Sequence, residues 1–201
     1  MSEPGPDAAR VDGRVTVVVL AGGTSRRFGA DKLAAPLGAS TVLDRLLEAL
    51  PARWPVVLVG PERATVRPDA EWVREQPSGG GPLAGVAAAT AVAVTDVIAV
   101  VAGDMPFAAP ALTTLVAALD ASGAGVGAAV ARVDGRSNAL LGAYRAEALR
   151  AALPGSPRGL PARTLLTVPH LEVDVPAGLA RDVDTPDDLE TARTHLGRRL
   201  G

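Results

Sequence analysis

The stretch LAGGTSRRFGADK, residues 20–32, gathers Arg26, Arg27 and Lys32 within seven positions, among Gly22, Gly23 and Gly29 and opposed only by Asp31. An arginine fork grips phosphate oxygens in bidentate fashion, and a lysine supplies a mobile point charge. Glycines without a Cβ let backbone N–H groups come close to a phosphate or sugar. The chemistry this pattern suits is the binding of a polyanion such as a nucleoside triphosphate. Two familiar phosphate loops do not fit. A P-loop requires G-x-x-x-x-G-K-[ST], but Ala30 and Asp31 follow Gly29, and Leu33 follows Lys32, where the magnesium-binding hydroxyl should stand. A dinucleotide fingerprint requires G-x-G-x-x-G, but Gly22 and Gly23 are adjacent.

Further candidates lie downstream. In VVAGDMP, Asp104 ends an apolar run, where a carboxylate can hold Mg²⁺ alongside substrate phosphates. The same Asp-Met-Pro also suits a plain turn. SGGGPLAG (78–85) is a second glycine loop; Gly81 and Pro82 open a helix whose free N–H groups can meet a phosphate, a ribose or an acceptor. RDVDTPDDL (181–189) carries four aspartates. Thr185 reads as an N-cap, Pro186 as the first helical residue, and Asp187 and Asp188 as first-turn acids. Asp182 and Asp184 precede that cap and alternate, so on a strand both would face one side. Arg136 and Asn138 sit in the turn-like VDGRSN. His170 and His195 have no ligand spacing, with His195 suited to the last helical turn, and Trp54 and Trp72 read as packing residues.

These groups need elements to hold them. VTVVVL (15–20), PVVLVG (55–60) and the strand of DVIAVVAGDMP (96–106), ending at Asp104, are apolar runs too short for helices and rich in β-branched residues. EWVRE (71–75), GVGAAVAR (125–132), ALLGAY (139–144), LEVDV and ARDVD are further strand candidates. Helical spacing runs through 40–50, capped by Ser40 or Thr41, and through 79–94, 109–121, 145–154, about 159–167, and 185–196. Alternating strands and helices imply a three-layer α/β/α, Rossmann-like sheet, mostly parallel, with ALLGAY a candidate antiparallel strand. Two Trp, one Tyr and two Phe in 201 residues leave Val, Leu and Ala to build the core.

Composition removes other classes. There is no cysteine, so disulfides, thiolate metal sites and cysteine nucleophiles are excluded. A net charge of −2 argues against broad nucleic-acid affinity. No apolar run approaches the roughly 20 residues of a membrane span, and the N-terminus lacks a signal-peptide core. The expectation is a soluble, cytoplasmic protein with a disordered tail over 1–13 and a single domain over 14–201.

The loop at 20–32, with GPLAG (81–85), AGDMPF (102–107) and DVDTPDDL (182–189), resembles the nucleotidyltransferases, and within them the molybdenum cofactor guanylyltransferases. The resemblance implies the sheet of the nucleotide-diphospho-sugar transferase type. It also implies GTP and molybdopterin as substrates, Mg²⁺ as cofactor, and a receiving molybdoenzyme apoprotein or cofactor chaperone as partner. Leu20, Ala21, Gly22 and Gly23 would cradle base and ribose, with Arg26, Lys32, Gln76, Gly81 and Asp104 completing the nucleotide site. Arg27, Lys32 and Asp104 would be catalytic, and Asp104 with Asp184 would hold the metal. Arg136 and Asn138 would either meet the pterin or form a plain turn. Two positions depart from the family: Gln76 stands where an aspartate is usual, and Asp182 and Asp184 stand where asparagines are common. A cytidylyltransferase on the same cofactor, a sugar-phosphate transferase, a non-catalytic nucleotide-binding domain and a carrier of the finished cofactor remain alternatives.

Overall fold

The computed structural model describes residues 14–23 and 27–200. The expectations for the tail at 1–13 and for Arg26 lie outside these residues. In chain order the elements are β1 (Val15–Leu20), a 3-10 turn (Lys32–Ala34), β2 (Pro36–Leu37), β3 (Ser40–Thr41), α1 (Val42–Ala49), β4 (Val56–Val59), β5 (Glu71–Val73) and α2 (Pro82–Val92). They continue with β6 (Val97–Ala102), α3 (Ala109–Asp120), β7 (Ala128–Val133), β8 (Arg136–Arg145), α4 (Ala146–Ala152), a 3-10 segment (Ala162–Thr167), β9 (His170–Asp174) and α5 (Pro186–Leu200). The main sheet has seven strands in the order β5-β4-β1-β6-β8-β7-β9. The first four are mutually parallel, and β8 runs antiparallel to both β6 and β7.

Alternation along β1 explains the layers. Val15, Val17 and Val19 pack with Leu43, Leu46 and Leu47 of α1 and with Leu112 and Leu115 of α3. Val18 points to the other face, where Leu83 and Val86 of α2 and Leu149 of α4 cover it. A central parallel strand buried on both faces must be nearly all apolar, which VTVVVL supplies; its one polar residue, Thr16, is buried and accepts from Thr95 Oγ1. A third apolar cluster joins Leu37, Phe107 and Val183 to Leu189 and Ala192, and so seats α5 against the sheet end.

The register fixes where the loops emerge. Leu20 pairs with Val59 on one side and Ala102 on the other, so Ala21–Gly23, Gly60 and Gly103–Asp104 leave the sheet at one edge. Ala21 N donates to Val59 O and Gly103 N to Leu20 O, at 2.8 and 2.9 Å.

Several elements differ from expectation. ARDVD forms no strand; Val183 N donates to Asp104 O and the segment otherwise runs outside the sheet. With a single bonded partner group, no ladder can propagate. The turn expected over VDGRSN contracts to Asp134 and Gly135, both at positive φ (+48° and +76°) as a two-residue hairpin requires. Arg136–Asn138 therefore belong to β8. The small β2–β3 hairpin was not legible, because two-residue strands carry no periodicity. Thr41 rather than Ser40 caps α1, accepting from Asp44 N at 3.1 Å.

Gly60 shows how tightly the edge is built. At φ +148° its missing Cβ would lie 2.7 Å from Ala21 O and 2.9 Å from Gly22 N, which are backbone atoms that cannot swing aside. Gly60→Ala should therefore cost at least about 2–3 kcal/mol. Thermal or denaturant unfolding beside wild type checks this; a loss under about 0.5 kcal/mol would mean that the edge yields easily.

Candidate functional site

The first half of the site is a cation between carboxylates. Asp31 closes the 3-10 turn Lys32–Ala34 by accepting from Leu33 N at 3.1 Å, and an Arg63 ion pair holds its other oxygen. Lys32, the first residue of that turn, crosses to the strand-end loops. Its Nζ lies 2.5 Å from Asp104 Oδ2 and 2.7 Å from Asp184 Oδ1. Arg27 donates to Asp184 Oδ2 at 2.5 Å from an exposed position. Four residues separated by up to 157 positions thus meet where β1 and β6 end.

Burial alone would lower the Lys32 pKa, but hydrogen bonds and attraction from Asp104 and Asp184 outweigh it, and the net shift is upward. The ammonium is therefore charged at neutral pH. Asp182 stands just outside. Desolvation, followed by repulsion from Asp184 and then Asp104, raises its pKa, although its side chain keeps contact with solvent. It makes no direct bond to Lys32 among the described residues.

Asp104 keeps one oxygen open to a further ligand. One of its oxygens meets Lys32, while Oδ1 is buried with no hydrogen-bond partner among the described residues. A buried acceptor without a partner is costly unless a ligand completes it. A hard divalent cation with oxygen preference fits Asp104 and Asp184, and the donor set is all carboxylate. No cluster of three or more His, Cys, Asp or Glu suited to a metal occurs among the described residues, so such an ion would need ligands from its substrate.

The second half is a cleft of about 290 Å³ beside these charges. Leu20, Gly22, Gly23, Val59, Glu75, Gly79, Gly81, Pro82 and Gly85 line it. Glycines on two opposed loops leave a slot with apolar ends, the shape a flat heterocycle and ribose require. Gly81, at φ +89°, is the N-cap of α2 and leaves the helix's first N–H groups open to the slot. A larger hollow of about 360 Å³ lies by the Lys32 turn; Asp31, Asp44 and Glu62 outnumber Arg63 among its lining residues.

Leu20, Gly22, Gly23 and Gly81 line the cleft, and Ala21 is buried between its walls. Arg27, Lys32, Asp104 and Asp184 come together at its side. Gln76 is not among the lining residues and is exposed; its neighbour Glu75 lines the cleft instead. Asn138, within β8, turns its amide oxygen back to Leu140 N at 3.0 Å. His195 lies against Phe107, with ring centroids 4.7 Å apart and planes tilted by 55°, and His170 bonds Val168 O; neither bonds these carboxylates among the described residues.

Two contributors escaped the sequence reading. SPRGLPAR, which resembles a short linker, is tied to the second glycine loop by Gly159 N donating to Gly80 O at 2.8 Å. Arg63 braces Asp31 across 32 residues. Neither carries a motif, because each acts through a contact that exists only after folding.

Known proteins resemble this chain along most of its length. The family model described as the MobA-like NTP transferase domain matches residues 17–173. The chain is 32% identical over 195 residues to a probable molybdenum cofactor guanylyltransferase of Chloroflexus aggregans, covering 90% of this chain and 94% of that one. A probable molybdenum cofactor guanylyltransferase of Pelotomaculum thermopropionicum is 37% identical over 101 residues, 49% of each chain. The crystal structure of molybdopterin-guanine dinucleotide biosynthesis protein A from Archaeoglobus fulgidus superposes with a TM-score of 0.70 at 25% identity, covering 91% of this chain and 99% of that one.

Asp184 depends on the helix that follows it. Asp188 Oδ2 accepts from Asp184 N, Thr185 N and Thr185 Oγ1, while Thr185 Oγ1 accepts from Asp188 N. This reciprocal cap predicts that Asp188→Ala costs about 1 kcal/mol, a fall in Tm of roughly 2–4 °C. Asp187→Ala, whose side chain makes no hydrogen bond among the described residues, should cost less in the same thermal denaturation series.

Proposed function

Because the chain belongs to the MobA-like NTP transferase domain family, we propose that it is a molybdenum cofactor guanylyltransferase, joining GMP from GTP to the terminal phosphate of molybdopterin. The observation that carries this reading is the Lys32 ammonium between Asp104 and Asp184, directly beside a glycine-walled slot. Charge placement and nucleoside binding are thereby adjacent, as transfer at an α-phosphate needs.

In this reading the slot takes base and ribose, with the Leu20–Gly23 backbone against them and the open N–H groups of α2 nearby. The triphosphate then runs toward Lys32 and Arg27. An acceptor phosphate oxygen forms a bond to the α-phosphorus as the bond to the oxygen bridging the β-phosphorus breaks, and that electron pair departs with pyrophosphate. The acceptor is already ionised near neutral pH, so no general base is required. Lys32 and Arg27 offset charge on the leaving group, and the elements around them hold both reactants in line. Asp104 and Asp184 would hold Mg²⁺. Bound there, it supplies neutralisation of the phosphate oxygens and polarisation of the α-phosphoryl group. Asp182 contributes negative charge at the rim without a direct bond. A soluble cofactor and a nucleoside triphosphate suit the cytoplasm as the place of action. No helix among the described residues is long and apolar enough to cross a membrane. A receiving apoenzyme or cofactor chaperone would take the product.

A competition reaction tests this directly. Protein, Mg²⁺, molybdopterin and equal GTP and CTP are combined, and the nucleotide joined to the pterin is identified by mass spectrometry. A GMP adduct with stoichiometric pyrophosphate is expected. A CMP adduct would transfer the reading to a cytidylyltransferase, and no adduct beside an active reference enzyme would remove molybdopterin as acceptor. In the same assay Asp104→Ala should lose at least about 100-fold in turnover while retaining measurable nucleotide binding. Unchanged turnover would remove Asp104 from the reaction.

A further inference from the structure

We infer that Arg63 is a positioning residue: acting through Asp31, it sets where the Lys32 ammonium stands between Asp104 and Asp184. Its effect on turnover rests on the guanylyltransferase reading above, but its geometry does not. Arg63 lies on the connection after β4, which is tied at both ends. Gly60 N donates to Val73 O at 3.0 Å, and Val66 N donates to Asp44 Oδ1 at 3.0 Å. Asp44 is itself fixed in the first turn of α1, where its N–H donates to Thr41 Oγ1. Arg63 therefore stands on a braced segment.

The Lys32 turn has less behind it. The hollow of about 360 Å³ is lined from the turn by Leu33 and Ala34, and from the braced segment by Pro61, Ala64 and Thr65. Where side chains do not fill the space, packing does not set the distance between two segments. Arg63 sets it instead. Its Nη1 lies 2.5 Å from Asp31 Oδ2, while Asp31 Oδ1 accepts from Leu33 N at 3.1 Å. One carboxylate thus joins the segment to the backbone of the turn. Among the described residues no other hydrogen bond or ion pair links 60–66 to 31–34. The Arg63 side chain is 24% exposed, and its Nε is buried without a hydrogen-bond partner among the described residues.

Lys32 follows Asp31 directly, so a shift of the turn is carried to Nζ, which must reach Asp104 at 2.5 Å and Asp184 at 2.7 Å. A fixed charge offsets developing charge only where it is held in place beforehand, and a misplacement of about 1 Å can cost up to about 100-fold in rate. Arg63 also neutralises Asp31, and the two effects are separable. Asp31→Asn removes the negative charge and keeps an amide oxygen for Leu33 N, but it turns its NH₂ against the guanidinium. Neutralisation alone would leave that variant active; positioning would not.

Lys32 is the sole lysine of the 201 residues, so protein labelled with ¹³C-lysine gives one Cε–Hε signal that reports where this side chain stands. That signal, kcat from pyrophosphate release and the Kd for GTP are compared in wild type, Arg63→Met, Asp31→Asn and the double variant. Circular dichroism and Tm report the fold. The Asp31 side chain is 50% exposed, and losing a pair of that exposure leaves the fold standing. Arg63→Met and Asp31→Asn should each move the lysine signal and lower kcat at least about fivefold, with Kd within about threefold of wild type. The double variant should lie within about twofold of either, since all three break one tie. An unmoved lysine signal or a wild-type kcat in folded Arg63→Met overturns the inference, and Asp31→Asn carries the same decision if Arg63→Met does not fold. A fully active Asp31→Asn, or losses that multiply in the double variant, overturn it as well. Wild type without turnover would overturn the guanylyltransferase reading, while the lysine signal would still decide whether Arg63 places Lys32.

Discussion

One ammonium group holds the charged part of this molecule together. Lys32 Nζ sits within 2.7 Å of two carboxylates that would otherwise face each other across a narrow gap. Its side chain is 15% exposed and that of Asp104 17%, so solvent screens the cluster less than it would a surface pair. Removing one partner from a buried ion pair typically costs about 3–5 kcal/mol, whereas an exposed pair is worth about 1 kcal/mol or less. Arg27, on the outer side of Asp184 and largely exposed, belongs to the second class.

That constraint reaches back through the fold. For Lys32 to meet Asp104, the loop after β1 must close over the end of β6, and the two strands must be parallel neighbours with Leu20 opposite Ala102. For Asp184 to join them, the chain must return after β9 and deliver a helix start at the same edge. Val183, buried between the two exposed-side aspartates, locks that return through the cluster with Phe107 and Leu189. The Asp188 cap then fixes the backbone on which Asp184 stands. Packing and capping, rather than attraction alone, aim these charges.

The nucleotide slot obeys a steric constraint of the same kind. Gly60 accommodates the backbone turn beneath Ala21 and Gly22, and Gly85 fits under Val59 and Leu20, where a Cβ would meet side-chain carbons at 3.0 and 3.2 Å. A slot with glycine on both sides excludes bulk from its own walls.

The sequence by itself determined the sheet class, the glycine–cation loop and the charged residues that gather beside it. VTVVVL, DVIAVV and the glycine–cation loop are local signals: their propensity and chemistry are carried within a dozen residues. It also determined the helix start at Thr185-Pro186, since capping is local. Only the tertiary structure decided that Lys32 bridges Asp104 and Asp184, that Arg63 braces Asp31, and that the segment at 155–163 touches the second glycine loop. Each of these joins positions tens of residues apart, and no spacing rule relates such positions before the strands are ordered. The same holds for Glu75 against Gln76. Adjacent residues at a strand end point in different directions, and only the path of the backbone into Gly79–Gly81 determines which of them enters the cleft.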